Sequence, residues 1–226
     1  MNKRFALAGM LGLALASSAH ADLIKVAVNG GFATVDMKDV NAVTDRFAEQ
    51  DKTAGRDTKR NNKFGSAYFV AAEAGISLLP FIEVGPRIEF LKATPLEYLA
   101  EGSGSFQALN IDATLTSFMP GFTTGLDLPL TGLGFQVAGY AGHGYAVANS
   151  TYASTTSKSA QQFTGGGFVS QLQAKLKYSL LPLVSFDLMA GMRFAAVGVL
   201  SDGSKPSTQS WDFSGINAGG GLTVGF

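Results

Sequence analysis

Between Ser185 and Phe194 the chain alternates with a period of two. Phe186, Leu188, Ala190, Met192 and Phe194 share one parity; Ser185, Asp187, Met189, Gly191 and Arg193 share the other. Successive residues of a strand face opposite sides, so such a run builds a strand with one apolar face. The pattern recurs. Ile82, Val84, Pro86, Ile88 and Phe90 alternate with Glu83, Gly85, Arg87 and Glu89. Leu172, Ala174, Leu176 and Tyr178 alternate with Gln171, Gln173, Lys175 and Lys177. Leu109, Ile111, Ala113 and Leu115 alternate with Asn110, Asp112, Thr114 and Thr116, and Ile24, Val26 and Val28 with Lys25, Ala27 and Asn29.

Eight such segments are expected, over 24–35, 63–78, 81–92, 104–119, 133–148, 162–179, 183–198 and 209–226. Each can supply the roughly 9–11 residues of a tilted membrane strand. Their connections alternate in length. Leu79-Pro80, Leu126 to Thr131 with Pro129, and Leu181-Pro182 are short; 36–62, 93–103, 149–161 and 199–208 are long and polar. Bacterial membrane barrels join their strands in this short-long order. Composition agrees, with 28 glycines, 17 phenylalanines and only 15% charged residues. Beyond residue 21 no apolar run reaches the 18 residues of a membrane helix. The expected fold is all-β, a closed eight-stranded antiparallel up-and-down transmembrane β-barrel.

Alternation by itself also fits a soluble sandwich, whose apolar faces meet in a core. Two patterns favour lipid. Aromatics of the apolar parity cluster near strand ends: Phe135, Tyr178, Phe186 and Phe226 toward the short turns, and Phe32, Tyr68, Phe90, Tyr145, Phe168 and Phe194 toward the long loops. That is the arrangement of two interfacial girdles. The opposite parity carries ions of both signs. Glu73, Glu83, Glu89, Asp112 and Asp187 are expected inside, balanced by Lys25, Arg87, Lys175, Lys177 and Arg193. An eight-stranded interior has just enough room for such side chains.

The N-terminus reads as a secretory signal peptide. Lys3 and Arg4 precede the apolar run Phe5 to Ala16, and Ala19-His20-Ala21 is a small-x-small cleavage site. The domain division is therefore a signal over 1–21 and a barrel over 22–226. The whole chain has 17 basic and 17 acidic residues, and loss of Lys3 and Arg4 leaves two more acidic than basic. This balance gives no reason to expect nucleic acid as a partner. Without cysteine there is neither a disulfide framework nor a thiol site.

The last residues, Gly221-Leu222-Thr223-Val224-Gly225-Phe226, form an alternating strand that ends on an aromatic. This resembles the C-terminal signal of outer-membrane proteins, with Gly221, Val224 and Phe226 at its Gly, apolar and aromatic positions; Gly219 departs from the polar residue usual at its start. Together with the eight segments, the chain resembles the small eight-stranded barrels of the OmpA transmembrane domain and OmpX type. The resemblance implies the outer membrane of a Gram-negative bacterium with both termini periplasmic. It also implies the barrel-assembly machinery as a partner during biogenesis, and outer-membrane lipid and lipopolysaccharide as surroundings.

Candidate chemistry is sparse. His143 sits among Gly142, Gly144 and Tyr145 on the lipid-facing parity, without a nearby serine to activate. Glu83 and Glu89 share a strand face but lie roughly 20 Å apart along it, too far for an acid–base pair. One histidine beyond residue 21 gives no metal site. The runs Gly165 to Gly167 and Gly219 to Gly221 lack the Lys-Ser/Thr of a phosphate loop and suit strand curvature. In 36–62, Val40, Val43 and Phe47 recur at helical spacing, and Lys52, Arg56, Lys59 and Arg60 could meet lipopolysaccharide phosphates. The expected role is structural or interactional: an outer-membrane β-barrel with surface-exposed loops, no catalysis and no cofactor. A narrow channel or transporter for small solutes is the first alternative, and a lipid A-modifying membrane enzyme the second.

Overall fold

The computed structural model describes residues 24–226, apart from 80, 103, 129, 130, 204 and 205. The expected cleavage site at Ala19 and Ala21 lies outside the described residues. Eight strands form a ring: β1 (Ile24–Thr34), β3 (Ser66–Leu79), β4 (Ile82–Ala93), β6 (Ser105–Asp127), β7 (Leu133–Ser154), β8 (Lys158–Leu181), β9 (Val184–Phe194) and β12 (Gly215–Gly225). Each pairs antiparallel with the next, and β12 returns to β1, with Lys25 opposite Gly225 and Ala33 opposite Asn217. Ring strands fall on all eight of the expected segments.

The long connections hold more order than the sequence suggests. Helix α1 (Lys38–Thr53) and strand β2 (Asp57–Asn62) occupy 36–62. Strand β5 (Leu96–Gly102) fills most of 93–103, and β10 (Ala196–Ser201) pairs with β11 (Pro206–Asp212) around 199–208. The expected link 149–161 is instead the tip of one long hairpin, because β7 and β8 run on to 154 and from 158. Strand β6 has 23 residues, roughly 75 Å of extended chain, more than twice a membrane span. The ring therefore continues as a β-sheet extension well beyond any bilayer.

The wall of the ring is apolar outside and polar inside. Val28, Phe32, Ile88, Phe118, Leu172, Leu188 and Phe194 are all exposed, while Arg87, Glu89, Gln173 and Arg193 are buried. A belt of exposed aliphatic and aromatic side chains on this scale needs an apolar surrounding. Both expected aromatic groups, from Phe32 to Phe194 and from Phe135 to Phe226, stand on this outer wall.

In the extension the sense of the faces reverses. Leu109, Ile111, Ala113 and Leu115 of β6 are buried, and Asn110, Asp112 and Thr114 are turned outward. This corrects the expected inward position of Asp112. Above the apolar belt the outer surface meets water and the interior is a hydrocarbon core, so the same parity that carries ions lower down carries leucines here. Val40 of α1, with Phe64, Tyr98, Leu96, Trp211 and Phe213, closes that core, and Val43, Phe47 and Tyr152 pack against it. The expected helical spacing thus marks the face by which α1 docks. Asn41 ties α1 down with a side chain that donates to the Phe64 carbonyl (2.8 Å) and accepts from its N–H (2.9 Å).

Glycines shape the seam between the first and last ring strands. Gly31 faces Gly219. A Cβ on Gly31 would fall 2.2 Å from the Ala218 carbonyl oxygen, and one on Gly219 would fall 2.2 Å from that of Gly30. Only bare backbone permits so close an approach, and it gives the seam the curvature of a narrow ring.

Candidate functional site: the charged interior

Four ring strands aim ionic side chains at one level of the lumen. Glu73 on β3 lies in register with Arg87 on β4 and is ion-paired with it. Lys175 reaches Glu73 from β8 at 2.5 Å. Two neutral donors complete the carboxylate's shell: Tyr140 Oη at 2.8 Å and Asn29 Nδ2 at 2.8 Å. Two residues further along β4, Glu89 accepts from Arg87 Nη2 at 2.6 Å and from Arg193 Nη1 of β9 at 3.2 Å. Arg193 Nε is held by the Phe213 carbonyl at 3.0 Å. The result is a continuous chain, Lys175–Glu73–Arg87–Glu89–Arg193.

The geometry has an electrostatic logic. Each of these ions is buried or nearly so, and stripping water from an isolated charge costs several kcal/mol or more. Here Glu73 meets two cations, Glu89 meets two, and Arg87 bridges both carboxylates, so no charged group of the chain stands alone. The faces of the Phe69 and Tyr140 rings lie 5.9 and 5.5 Å from the Arg87 guanidinium and add cation–π contact.

Toward the short turns the interior opens into a polar vestibule of about 40 Å³. Lys25 is ion-paired with Glu83 there. Lys177 stands 3.6 Å from Asp127, and Thr223 donates to Asp187 at 2.5 Å. A space of this size holds a few water molecules and stops at the Glu73–Lys175 pair.

Of the ten residues expected in a lumen charge network, Glu73, Arg87, Glu89, Lys175 and Arg193 join in the chain just described. Lys25 and Glu83 form a separate pair at the mouth. Lys177 and Asp187 also line the mouth without an ion pair to each other. Asp112 stands apart on the outer face of the extension, 3.9 Å from Lys92. The sequence reading put Asn29, Gln171 and Gln173 on the polar parity without giving them a part in the network, and missed Tyr140, Thr223, Asp127 and the buried amide Asn217. All but Asp127 are uncharged, so a search for ions passes over them; the parity they share with the ions was the available signal.

The other candidate residues are scattered. His143 is exposed on the outer wall in a row with Phe118 and Phe168, leaning over Gly166, and forms no hydrogen bond or ion pair among the described residues. Of the loop cations, Arg56 turns inward to Asp51 of α1 at 2.5 Å, and Arg60 pairs with Glu97 at 2.9 Å. Asp51 also accepts from Tyr98 Oη at 2.5 Å. Burial, and then this hydrogen bond, push the Tyr98 hydroxyl up to about 12. On the extension a groove of about 250 Å³ runs along Leu99, Ala108, Leu109 and Tyr152, with Arg60 and Lys158 at its rim. At the C-terminus, Phe226 is exposed, and its backbone N–H and carbonyl bond to Ile24 at 2.8 and 3.3 Å.

The fold and its interior define an eight-stranded antiparallel barrel with an ion-filled lumen and an apolar outer wall. Among solved structures the chain is similar to Neisserial surface protein A, at 14% identity over 90% of this chain and 97% of that one, with a TM-score of 0.40. It is similar also to the N-terminal β-barrel domain of Pseudomonas aeruginosa OprF, at 15% identity over 91% and 98%, with a TM-score of 0.39. A third is Ail, the attachment invasion locus protein of Yersinia pestis, at 12% identity over 88% and 97%, with a TM-score of 0.40. No protein-family model and no curated protein matches the chain.

Proposed function

We propose that this protein is a structural and interactional outer-membrane barrel with a plugged lumen. It holds a rigid β-sheet extension above the membrane for contact with surface partners. The observation that carries the reading is the ionic chain Lys175–Glu73–Arg87–Glu89–Arg193, which fills the lumen between opposite walls. Opposite charges held at hydrogen-bond distance in a narrow tube leave no continuous column of water. The extension is the part built to meet partners: α1 and four short strands lock it around its own hydrocarbon core. In this reading residues 1–21 are removed after Ala21, both termini face the periplasm, and Gly221, Val224 and Phe226 present the strand on which the assembly machinery acts. The protein performs no catalysis and needs no cofactor.

Purified barrel in a planar bilayer tests the plug. The expected outcome is little steady conductance, rising when Arg87 or Arg193 is replaced by Ala and an acidic partner is freed. Large, stable, ohmic channels from the unmodified protein would replace this reading with that of a solute channel.

A further inference from the structure

The short turns of the ring are rich in leucine. Leu78, Leu79, Phe81, Leu128, Leu181 and Leu183 are all between 50% and 62% exposed or slightly beyond, Leu181 reaching 63%. In the wall only the outward parity is apolar. At two of the three turns both parities are, since Leu78 and Leu79 are consecutive and so are Leu180 and Leu181. Asp127, at the same level, is exposed and stands 3.6 Å from Lys177 at the mouth of the vestibule. A turn that projects into water gains nothing from leucines on both faces.

Length decides where this rim sits. The upper aromatic girdle includes Phe194, and β9 runs from there down to Val184, 11 residues. At ~3.3 Å per residue and a tilt near ~40°, that descends roughly 27 Å, against an apolar band of about 25 Å in membrane barrels. The band is used up when the chain reaches the turns. The barrel has no freedom to ride higher, because Lys92, Asp112 and Thr114 stand outward just above the girdle. Nor does the outer wall of the ring, from girdle to turns, carry any Asp, Glu, Lys or Arg that would mark a lower polar collar.

We infer that the short turns are a lipid-contact surface: the leucine rim lies within the headgroup and upper acyl layer of the adjoining leaflet, and the vestibule of Lys25, Glu83 and Lys177 opens among phospholipid headgroups. The occupant is phospholipid, because the rim continues the apolar outer wall without a break. The inference rests on the membrane-barrel reading above.

The chain has no cysteine, so single-cysteine variants can carry a fluorophore without competition. Leu128→Cys and Leu181→Cys are labelled with NBD, beside Leu188→Cys on the mid-wall and Lys158→Cys on the extension. Each is folded into phosphatidylethanolamine–phosphatidylglycerol vesicles and checked for heat-modifiable gel mobility. Lipids spin-labelled at the headgroup or upper acyl chain should remove more than about half of the emission at Leu128 and Leu181, and aqueous cobalt should remove little, as for groups sunk ~5–10 Å into the interface. Lys158 should show the reverse, and Leu188 should respond to labels deep in the acyl chain. If Leu188 reports lipid while Leu128 and Leu181 behave like Lys158, the turns stand in water, the inference is overturned, and a soluble partner or a second copy becomes the candidate for the rim. If Leu188 itself reports water, the membrane reading fails and the inference falls with it.

Discussion

Glu89 and Arg193 stand on opposite walls of the ring, four strands apart in either direction, and still meet: Arg193 Nη1 donates to Glu89 at 3.2 Å. Glu73 and Lys175 do the same from β3 and β8, also four strands apart. The two bridges tie diametrically opposed strands together, which backbone pairing between neighbours cannot do.

Removing the acid from the upper bridge should therefore cost more than removing an ion at the mouth. Glu89→Ala leaves Arg87 and Arg193 buried with one carboxylate fewer, and a loss of about 3–5 kcal/mol is expected. Lys25→Ala, at the partly exposed Lys25–Glu83 pair, should cost about 1 kcal/mol or less. Urea unfolding followed by gel mobility ranks the two; equal costs would deny the buried chain its special weight.

Parity gives a second test. Leu188→Arg places a charge on the exposed outer wall near mid-band, where ~2–4 kcal/mol is expected. Asp112→Asn, at an exposed pair 3.9 Å long, should change stability by less than about 0.5 kcal/mol. An Asp112→Asn variant as damaged as Leu188→Arg would return Asp112 to the lumen.

Asp112 also shows where sequence reasoning stops. Period-two alternation assigned the two faces of β4, β8 and β9 correctly, because Arg87, Lys175 and Arg193 could not face an apolar surrounding. It separates the residues of β6 into two faces equally well, yet says nothing about what each face meets. Leu109 and Leu115 look lipid-facing on pattern alone; they are core, because β6 outruns the bilayer by half its length. The helix was legible from Val40, Val43 and Phe47. The β5 and β10–β11 strands were not, since each is only six or seven residues long and lies in or across the edge of a link read as loop; β5 does alternate, with Leu96, Tyr98 and Ala100 buried on one side. In the lumen the ions were visible, and the parts played by the neutral partners Tyr140 and Asn29 were not.

Burial of Tyr98, together with its bond to Asp51, sets a pH window for the extension. The tyrosine ordinarily titrates near ~10 when unfolded and is pushed up to about 12 in the fold. Between those values the folded state keeps a proton that the unfolded state releases, so stability falls as pH rises. The contribution is complete below about pH 10 and lost by about pH 12. Phenolate absorbance should show a late-ionising component that shrinks by one tyrosine in Tyr98→Phe, and the variant's extension should lose this alkaline dependence in hydrogen exchange. A single common tyrosine titration would contradict the contact.

Phe226 and Gly219 act on the same seam. Deleting Phe226 removes the two backbone bonds to Ile24, and Gly219→Val drives a side chain into the Gly30 carbonyl. Both variants should lower the amount of folded protein in the outer membrane, seen as loss of the heat-modifiable band. Gly65→Ala, where an added Cβ meets nothing within 4 Å, should fold normally.

That seam joins the first ring strand to the last, with Lys25 opposite Gly225. No shorter stretch of the chain can make it. Until β12 is present, β1 and β9 each offer an unpaired strand edge, the kind of surface that recruits other chains. Pairing partners this remote in sequence are slow to find one another. Gly31 and Gly219 thus sit at a length gauge: the ring accepts a chain that has been made through β12, and leaves one stopped short of it open, sticky and in reach of proteases.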